Sequence, residues 1–459
     1  MELAGVLIAV LLLIFLIYKR LSLIPATLIC VAVLALTNGF SYMDLFINHY
    51  GVSLAGFVGK YFLVFVTNAL FGKVMEETLL ASVFSKMIGK LFGDKNAVFG
   101  AMLATAILSY GGASQAAFAM LKDMANRLIG MNPLDHEVIW QKLYQGCFWS
   151  YNGGPIVFGG ISAFDIALWD IKGKVYGQPL YRLLGGKHRD TLKAYASQLQ
   201  NGWGVGRKTA RTPADYARQA EIAVEKGFKA VKYNFLTFRE DEGRYPRTEQ
   251  TAYLDPEYLD LAEARIAAVR EAVGSKVDII LENHCYTDAQ SAVQFGNMAK
   301  KYGILYYEEP VVPHEDTLAY VHQQTGIPVA SGERIYSRWQ FKKMLDKQAI
   351  QVIQPDLGNS GGVTEVKKIC DMSYVYEAGV QIHVCGTPIV TAASLHMEAA
   401  LPNFVIHEYN VNTEMPQMTS LALHHYEPVN GSFTVPELPG IGNEIAPEAF
   451  KRSQVVTIE

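Results

Sequence analysis

The chain has 459 residues, which is enough for two or three domains with a sizeable core. Its formal net charge of −4 gives no electrostatic basis for binding nucleic acid or for a basic membrane-surface patch. The five cysteines are an odd number without paired or metal-type spacing, so they argue against a disulfide framework and favour a reducing compartment.

Long apolar runs, nearly free of charge, dominate the first 120 residues. These runs are residues 3–18, 21–37, 56–71 and 97–121. Because roughly 20 apolar residues cross a bilayer, we expect three to four transmembrane helices within residues 1–115. The basic pair Lys19-Arg20 is expected to face the cytoplasm. The sequence thus predicts a membrane-associated protein with a cytoplasmic catalytic part, unless the fourth run also crosses and places that part outside.

Short apolar strands alternate with amphipathic helices beyond residue 191. The predicted strands are residues 192–196, 230–234, 277–282, 304–308, 328–333, 350–354, 380–384 and 404–408. Thr212-Pro213 and Asp255-Pro256 each pair a capping residue with an N-terminal proline, which predicts a helix start. Eight strand–helix units predict a (β/α) TIM-type barrel over residues 187–410, with a doubly wound open sheet as the alternative. Residues 116–186 are predicted to be helical, and residues 411–459 form a C-terminal segment.

Three glutamates, Glu282, Glu308 and Glu333, lie at the ends of three consecutive predicted strands. The carboxyl ends of barrel strands meet at one face, where active sites of this architecture lie. Three converging carboxylates would repel one another unless a cation lay among them. Hard oxygen ligands suit Mg²⁺, with Mn²⁺ as a tolerated substitute. The sequence therefore predicts a magnesium site.

Other polar residues follow the same strand ends. Asp356 and His383 fall on neighbouring strands, where a carboxylate would orient an imidazole as a general base. His284 comes two residues after the first of the three glutamates, so strand alternation predicts that both side chains point inward. Lys232 and Asn234 are predicted to face inward for the same reason. The alternatives are a buried structural histidine for His383, a solvated loop for His284 and a salt bridge from Lys232 to a glutamate.

Several motifs resemble the mandelate racemase and muconate lactonizing group of the enolase superfamily. They are A-L-W-D-I-K-G-K at 167–174, E-E-P at 308–310, G-E-R at 332–334, Q-P-D-L at 354–357 followed by S-G-G at 360–362, and P-G-I-G at 439–442. The resemblance runs from about residue 115 to residue 458. It implies a modified barrel with an α+β capping domain, a homo-oligomer formed through the barrel, and a Mg²⁺-stabilised enediolate made by removing the proton α to a carboxylate.

Within that group, a histidine two residues after the first metal ligand resembles the galactonate-type acid-sugar dehydratases. The resemblance implies that His383, oriented by Asp356, takes the α-proton and that His284 helps the β-hydroxyl to leave. The expected substrate is a small sugar acid, an aldonate or an aldarate, and the expected product a 2-keto-3-deoxy acid. The remaining site residues are expected to be Lys232 in catalysis and Asn234, Arg334 and Glu408 in substrate binding.

Two departures from the family pattern bear on the reaction and its substrate, and one of them is Glu282, where galactonate dehydratases usually carry aspartate. Residues 232–234 read Lys-x-Asn where the racemases have Lys-x-Lys, which favours elimination over racemization. Epimerization or cycloisomerization on the same barrel is the alternative reaction. An insertion at residues 235–255 carries Arg239, Arg244 and Arg247, which could reach over the site and bind a second carboxylate; an exposed charged loop is the alternative.

The first 115 residues resemble the start of the gluconate permease family of proton symporters. The features that carry this resemblance are Lys19-Arg20, F-G-K-V-M-E-E at residues 71–77 and L-F-G-D-K-N-A at residues 91–97. It implies a permease fragment fused to an enzyme whose capping domain lacks its first strands. An inactive fusion with a transport fragment is therefore an alternative to a working enzyme.

Overall fold

The computed structural model describes residues 2–53 and 120–453, apart from residues 20, 22, 149, 150, 152, 205 and 242. The chain divides into two compact units, residues 1–111 and residues 112–459. Each unit is considered by itself.

Two helices form most of the described part of the first unit. Helix α1 is Glu2–Tyr18, with 17 residues, and helix α2 is Leu23–Asn38, with 16 residues. Short helical segments, Tyr42–Asp44 and Leu45–Gly51, follow them.

The predicted transmembrane helices and membrane association are contradicted by the lengths of these helices. Over residues 2–53 and 120–453, no helix is both long and apolar enough to cross a bilayer. The first two apolar runs form separate helices that stop at Tyr18 and Asn38, short of the required span. The other two runs, residues 56–71 and 97–121, lie outside the described residues except for the last two positions.

The second unit begins with helices. Residues 120–126 are helical, and they are followed by α3, His136–Gly146, and α4, Pro155–Tyr176. Helix α4 begins at a proline and ends before Gly177, whose φ of 62° is the left-handed conformation that commonly closes a helix. A short helix, Leu180–Leu183, leads into the sheet.

Eight parallel strands then alternate with helices. The strands are β1 Thr191–Ser197, β2 Ala230–Tyr233, β3 Asp278–Glu282, β4 Ile304–Glu308, β5 Val329–Ser331, β6 Val352–Ile353, β7 Gly379–Val380 and β8 His407–Asn410. The helices are α5 Pro213–Glu225, α6 Pro256–Val273, α7 Ala289–Ala299, α8 Glu315–Thr325, α9 Arg338–Asp346, α10 Gly362–Val375 and α11 Pro388–Ala399. Both predicted helix starts are confirmed, because the side chains of Thr212 and Asp255 cap α5 and α6.

The sheet curls round on itself. Its strand order is β7-β6-β5-β4-β3-β2-β1-β8, and a parallel bridge between Val380 and Phe404 links β7 to the residues just before β8. Strand β9, Ser432–Thr434, adds to β1 in antiparallel fashion. The predicted α/β class is therefore confirmed, and the parallel sheet is curled as a barrel requires.

The observed strands overlap all eight predicted ones, but four of them, β2 and β5 to β7, end earlier. Only β4 has the predicted bounds, whereas β5 to β7 keep two or three residues each. The polar residues expected at the ends of β5, β6 and β7 consequently lie in the loops that follow them. Strand β8 ends at Asn410, later than predicted, so Glu408 lies inside the strand and not at its end.

Apolar side chains close the interior of the curled sheet. The buried cluster inside it is Tyr195, Ala230, Ile280, Tyr306, Ala330, Val352 and Ile406. A larger cluster fills the space between the strands and the surrounding helices. Because the interior is packed, a ligand can be held only at the ends of the strands.

Candidate active site

The buried ammonium group of Lys232 has three carboxylates around it. Its Nζ lies 3.1 Å from Oε2 of Glu282 and 3.1 Å from Oε1 of Glu408, and it also contacts Glu308. Only 1% of the Lys232 side chain is exposed. Burial would lower the pKa of Lys232, but the surrounding glutamates raise it well above its ordinary value. The salt bridge foreseen as an alternative does form, with three partners instead of one.

Glu408 is held in its ionised form. Its Oε1 accepts a hydrogen bond from Ser197 Oγ at 2.7 Å, and its Oε2 accepts one from the backbone N–H of Val384 at 3.0 Å. Burial opposes ionisation, but Lys232 and His383 lower the pKa of Glu408 to about 2. The predicted substrate ligand is thus already saturated by protein groups.

Of the three predicted metal ligands, the structure brings two together. Glu282 and Glu308 are register partners on β3 and β4. Burial, and next the neighbouring Glu282 carboxylate, raise the pKa of Glu308 well above its usual range. Glu333 instead contacts Arg334 and places Oε2 3.1 Å from Nε2 of His383. Within the described part of the chain, no three histidine, cysteine or acidic side chains are arranged to hold a metal ion.

The chemistry of the donor set nevertheless fits a hard divalent cation. Oε2 of Glu282 is buried and accepts no hydrogen bond, although the ammonium of Lys232 lies nearby. Buried carboxylate oxygens without full hydrogen bonding carry a desolvation cost, which a cation removes. Carboxylate oxygens are also the ligands that Mg²⁺ prefers.

His383 lies between two carboxylates. Its Nδ1 is 2.7 Å from Oδ2 of Asp356, whose Oδ1 accepts a hydrogen bond from the backbone N–H of Gly358 at 2.6 Å. Burial would lower the pKa of His383, but Glu333 and Asp356 raise it well above its ordinary value. The predicted pairing with Asp356 is present in the structure. The contact with Glu333 was missed, because neighbouring strand ends predict proximity but not which side chains meet.

The His284 side chain lies in the same region, but it is placed there by a turn and not by the alternation of a strand. Strand β3 ends at Glu282, and the chain then turns through left-handed φ angles of 50° at His284 and 59° at Cys285. The backbone N–H of His284 donates to Oε1 of Glu282 at 2.8 Å. The alternation argument for His284 is therefore wrong. Burial lowers the pKa of its imidazole to about 4.

Amide side chains enclose the His284 ring. Its Nε2 lies 3.0 Å from Nε2 of Gln198, and its Nδ1 lies 3.2 Å from Nδ2 of Asn234. Oε1 of Gln198 accepts from Nε2 of Gln200 at 2.8 Å, and Oε1 of Gln200 accepts from the backbone N–H of Asn234 at 3.4 Å. Gln198 has a left-handed φ of 64° directly after β1. Sequence reasoning missed both glutamines, whose only signal was a polar run after a strand.

Arg334 differs most from its predicted role. Its guanidinium contacts the carboxylates of Glu333 and Glu309, and Glu309 is fully buried. The side chain keeps 38% of its surface exposed. An arginine already paired with two acids is a weak candidate for binding a substrate anion, so the structure favours a role in holding the loops after β4 and β5 together.

Two known protein families together match most of the second unit. A family described as "Enolase C-terminal domain-like" matches residues 215–449. A second, "Mandelate racemase / muconate lactonizing enzyme, N-terminal domain", matches residues 100–185. Neither match includes residues 1–99, and the resemblance of that stretch to the gluconate permeases gains no support from them.

Individual relatives agree with these matches. A D-galactonate dehydratase of Ralstonia nicotianae is 33% identical over 71% of this chain and 81% of its own length. One of Pectobacterium atrosepticum is 34% identical over 72% of this chain and 82% of its own length. An enolase superfamily structure from Salmonella Typhimurium is 46% identical, with a TM-score of 0.73, and the match covers 75% of this chain and 88% of that one. The predicted enzyme class, a carbon–oxygen lyase of the hydro-lyase type, is confirmed by these relatives. The chain belongs to the mandelate racemase and muconate lactonizing group of the enolase superfamily.

Proposed function

We propose that the chain dehydrates a sugar acid, an aldonate or an aldarate, in a Mg²⁺-dependent reaction that begins with removal of the α-proton. The observation that carries the proposal is the buried group of Lys232, Glu282 and Glu308 beside the paired His383 and Asp356. The relatives named D-galactonate dehydratase support the substrate class.

Glu282, Glu308 and Glu333 are the residues that would hold the Mg²⁺. When bound, the ion supplies positive charge that stabilises the negative charge developing on the substrate carboxylate. Lys232 would add a second positive charge, and its burial keeps that charge unscreened by water. Glu408, which accepts a hydrogen bond from Ser197, pairs with the ammonium and holds it in place.

His383 would take the α-proton at Nε2. Asp356 holds Nδ1, which orients the ring and stabilises the imidazolium formed when the proton arrives. Glu333 faces Nε2 in the structure, so a working base requires Glu333 to pair with another positive charge. Glu333 would meet this requirement by binding the metal ion, as proposed above.

His284 would assist the departure of the β-hydroxyl. In the elimination, the electrons of the broken C–H bond form the double bond, and the hydroxyl leaves with a proton as water. With a pKa of about 4, the ring of His284 is neutral at pH 7. A substrate carboxylate adds negative charge nearby, which favours the protonated ring that a donor needs.

A product screen tests this proposal. The full chain with Mg²⁺ is given a panel of aldonates and aldarates, and 2-keto-3-deoxy acid is quantified, with Glu308→Gln as the blank. We expect product from at least one sugar acid and none from the blank. Product that persists in the blank, or that forms equally with EDTA present, would contradict the proposal.

The predicted domain bounds and the homo-oligomer through the barrel stay predictions. The predicted loss of the first strands of the capping domain matters most, because loops of that domain would exclude water from the site. An inactive full chain that gains activity when those strands are restored would show that the barrel site is sound and the cap incomplete.

A further inference from the structure

The insertion at residues 235–255 lies on the same end of the barrel as the candidate site. It follows the carboxyl end of β2 and leads into α6. Two backbone contacts fix it against the segment after β3: the N–H of Ala252 donates to Oδ2 of Asp288 at 2.5 Å, and that of Leu254 donates to Oε1 of Gln294 at 2.9 Å. The insertion is therefore anchored beside the loop that carries His284.

The three arginines of the insertion have different partners. Arg239 donates to both carboxylate oxygens of Glu249, at 2.7 and 2.6 Å. Arg244 lies 4.9 Å from the ring of Phe238, within the insertion itself. Arg247 lies 4.1 Å from the ring of Tyr286, on the loop after β3.

Arg247 is the arginine of the insertion that contacts the loop after β3, and among the described residues it has no acidic partner. Of the side chains that the structure describes, no carboxylate lies within ion-pair distance of its guanidinium. Its stacking partner Tyr286 lies with its ring centroid 6.0 Å from that of His284. Against the larger effect of burial, Arg334 and Arg247 both lower the pKa of the intervening Cys285 thiol, so both guanidiniums lie within electrostatic range of it.

We propose that Arg247 binds the distal carboxylate of an aldarate whose reacting end lies at Lys232 and the glutamates. This inference rests on the proposed function and names its substrate as a diacid. An exposed guanidinium stacked on an aromatic ring is pre-organised to bind a carboxylate in bidentate fashion. An aldonate ends in a neutral hydroxymethyl group and offers Arg247 no charge.

Kinetics with a matched pair of variants test the inference. For the full chain with Mg²⁺, kcat/KM is measured with galactarate and with galactonate in the parent, Arg247→Gln, Arg247→Lys and the control Arg244→Gln. We expect Arg247→Gln to lower kcat/KM for galactarate by about 10- to 100-fold, the cost of a lost charge-assisted hydrogen bond. Galactonate should change by less than about threefold, Arg247→Lys should restore part of the loss, and Arg244→Gln should leave both substrates unchanged.

Two kinetic outcomes would overturn the inference while leaving the proposed function intact. One is a parent that prefers galactonate. The other is an equal loss for both substrates, or the same loss in Arg244→Gln.

Calorimetric binding of galactarate and galactonate separates the two proposals. If the parent turns over no acid of the panel, the proposed function fails and binding alone decides the role of Arg247. Tighter binding of galactarate that is lost in Arg247→Gln supports the inference. Equal binding of the two acids, or binding unaffected by the substitution, rejects it.

Discussion

Nε2 of His383 lies 3.1 Å from Oε2 of Glu333, while its Nδ1 lies 2.7 Å from Oδ2 of Asp356. The two contacts have different consequences for a base. The Asp356 contact leaves Nε2 available, whereas the Glu333 contact occupies the atom that would receive the α-proton. His383 is therefore available as a base only when Glu333, a predicted metal ligand, pairs with another group.

Asp356→Asn tests the role of the Asp356–His383 pair. Loss of the carboxylate removes the group that orients the ring and stabilises its protonated form, so we expect kcat to fall by about 10²- to 10⁴-fold. The measurement is exchange of the substrate α-hydrogen in D₂O. Asp371→Asn, which removes only an exposed ion pair with Lys367, is the control and should leave exchange unchanged.

Lys232→Met tests the electrostatic balance at the strand ends. Removing the ammonium leaves buried carboxylates without their counter-charge, which costs about 3–5 kcal/mol of unfolding free energy. We also expect added Mg²⁺ to raise the melting temperature more in this variant than in the parent, because the ion replaces the lost charge. A melting temperature indifferent to Mg²⁺ in both proteins would count against a metal site at Glu282 and Glu308.

Much of this site follows from the sequence because parallel strands end at a common face. The alternating pattern located all eight strands, and the residues at their ends include Lys232, Glu308 and the pairing of Asp356 with His383. Two features of the site could not be predicted from the sequence. The partner of Glu333 depends on the side-chain rotamers of residues on the loops that follow different strands. The turn at His284 has a left-handed φ at a residue that is not glycine, for which the sequence carries no signal.

The membrane prediction failed for a different reason. The first two apolar runs have 16 and 17 residues, and they form helices of 17 and 16 residues. Both runs were accepted as transmembrane helices although each is shorter than the roughly 20 residues that cross a bilayer.

Gly362→Ala tests the contact between α4 and α10. Gly362 has a φ of 77°, and an added Cβ would lie 2.5 Å from Oδ2 of Asp165. We expect a loss of about 2–4 kcal/mol in unfolding free energy, from backbone strain together with overpacking. Gly177→Ala is the matched control, because its φ is 62° in the left-handed helical region but its added Cβ meets nothing within 4 Å. The control should lose only about 1–2 kcal/mol, and equal urea midpoints for the two variants would contradict the prediction.

The buried carboxyl group of Asp165 should make the free energy of unfolding depend on pH. Burial raises its pKa from 3.8 to about 7, although Thr364 donates to both carboxylate oxygens, at 2.8 and 2.6 Å. Because the folded state binds this proton more tightly than the unfolded state, the contribution is fully present below pH 3.8 and is lost as pH rises through about 7.

Comparison with Asp165→Asn isolates this effect. Unfolding is followed by fluorescence, since Trp169 donates to Thr364 at 2.8 Å and reports on the contact. The stability of the parent relative to the variant should decrease between pH 5 and pH 8, with a slope of at most about 1.4 kcal/mol per pH unit. A difference that stays constant or grows with pH would show that the carboxyl group is already ionised at pH 5.

The fate of the α-hydrogen decides whether the chain dehydrates a sugar acid by removing that hydrogen in a Mg²⁺-dependent reaction. Galactarate and galactonate are incubated in D₂O with the full chain and Mg²⁺, and the products are observed by NMR. We expect a 2-keto-3-deoxy acid that carries solvent deuterium at C3. This product should not form in the presence of EDTA or with Glu308→Gln. Product formed without Mg²⁺, or formed equally by Glu308→Gln, would contradict the proposed function.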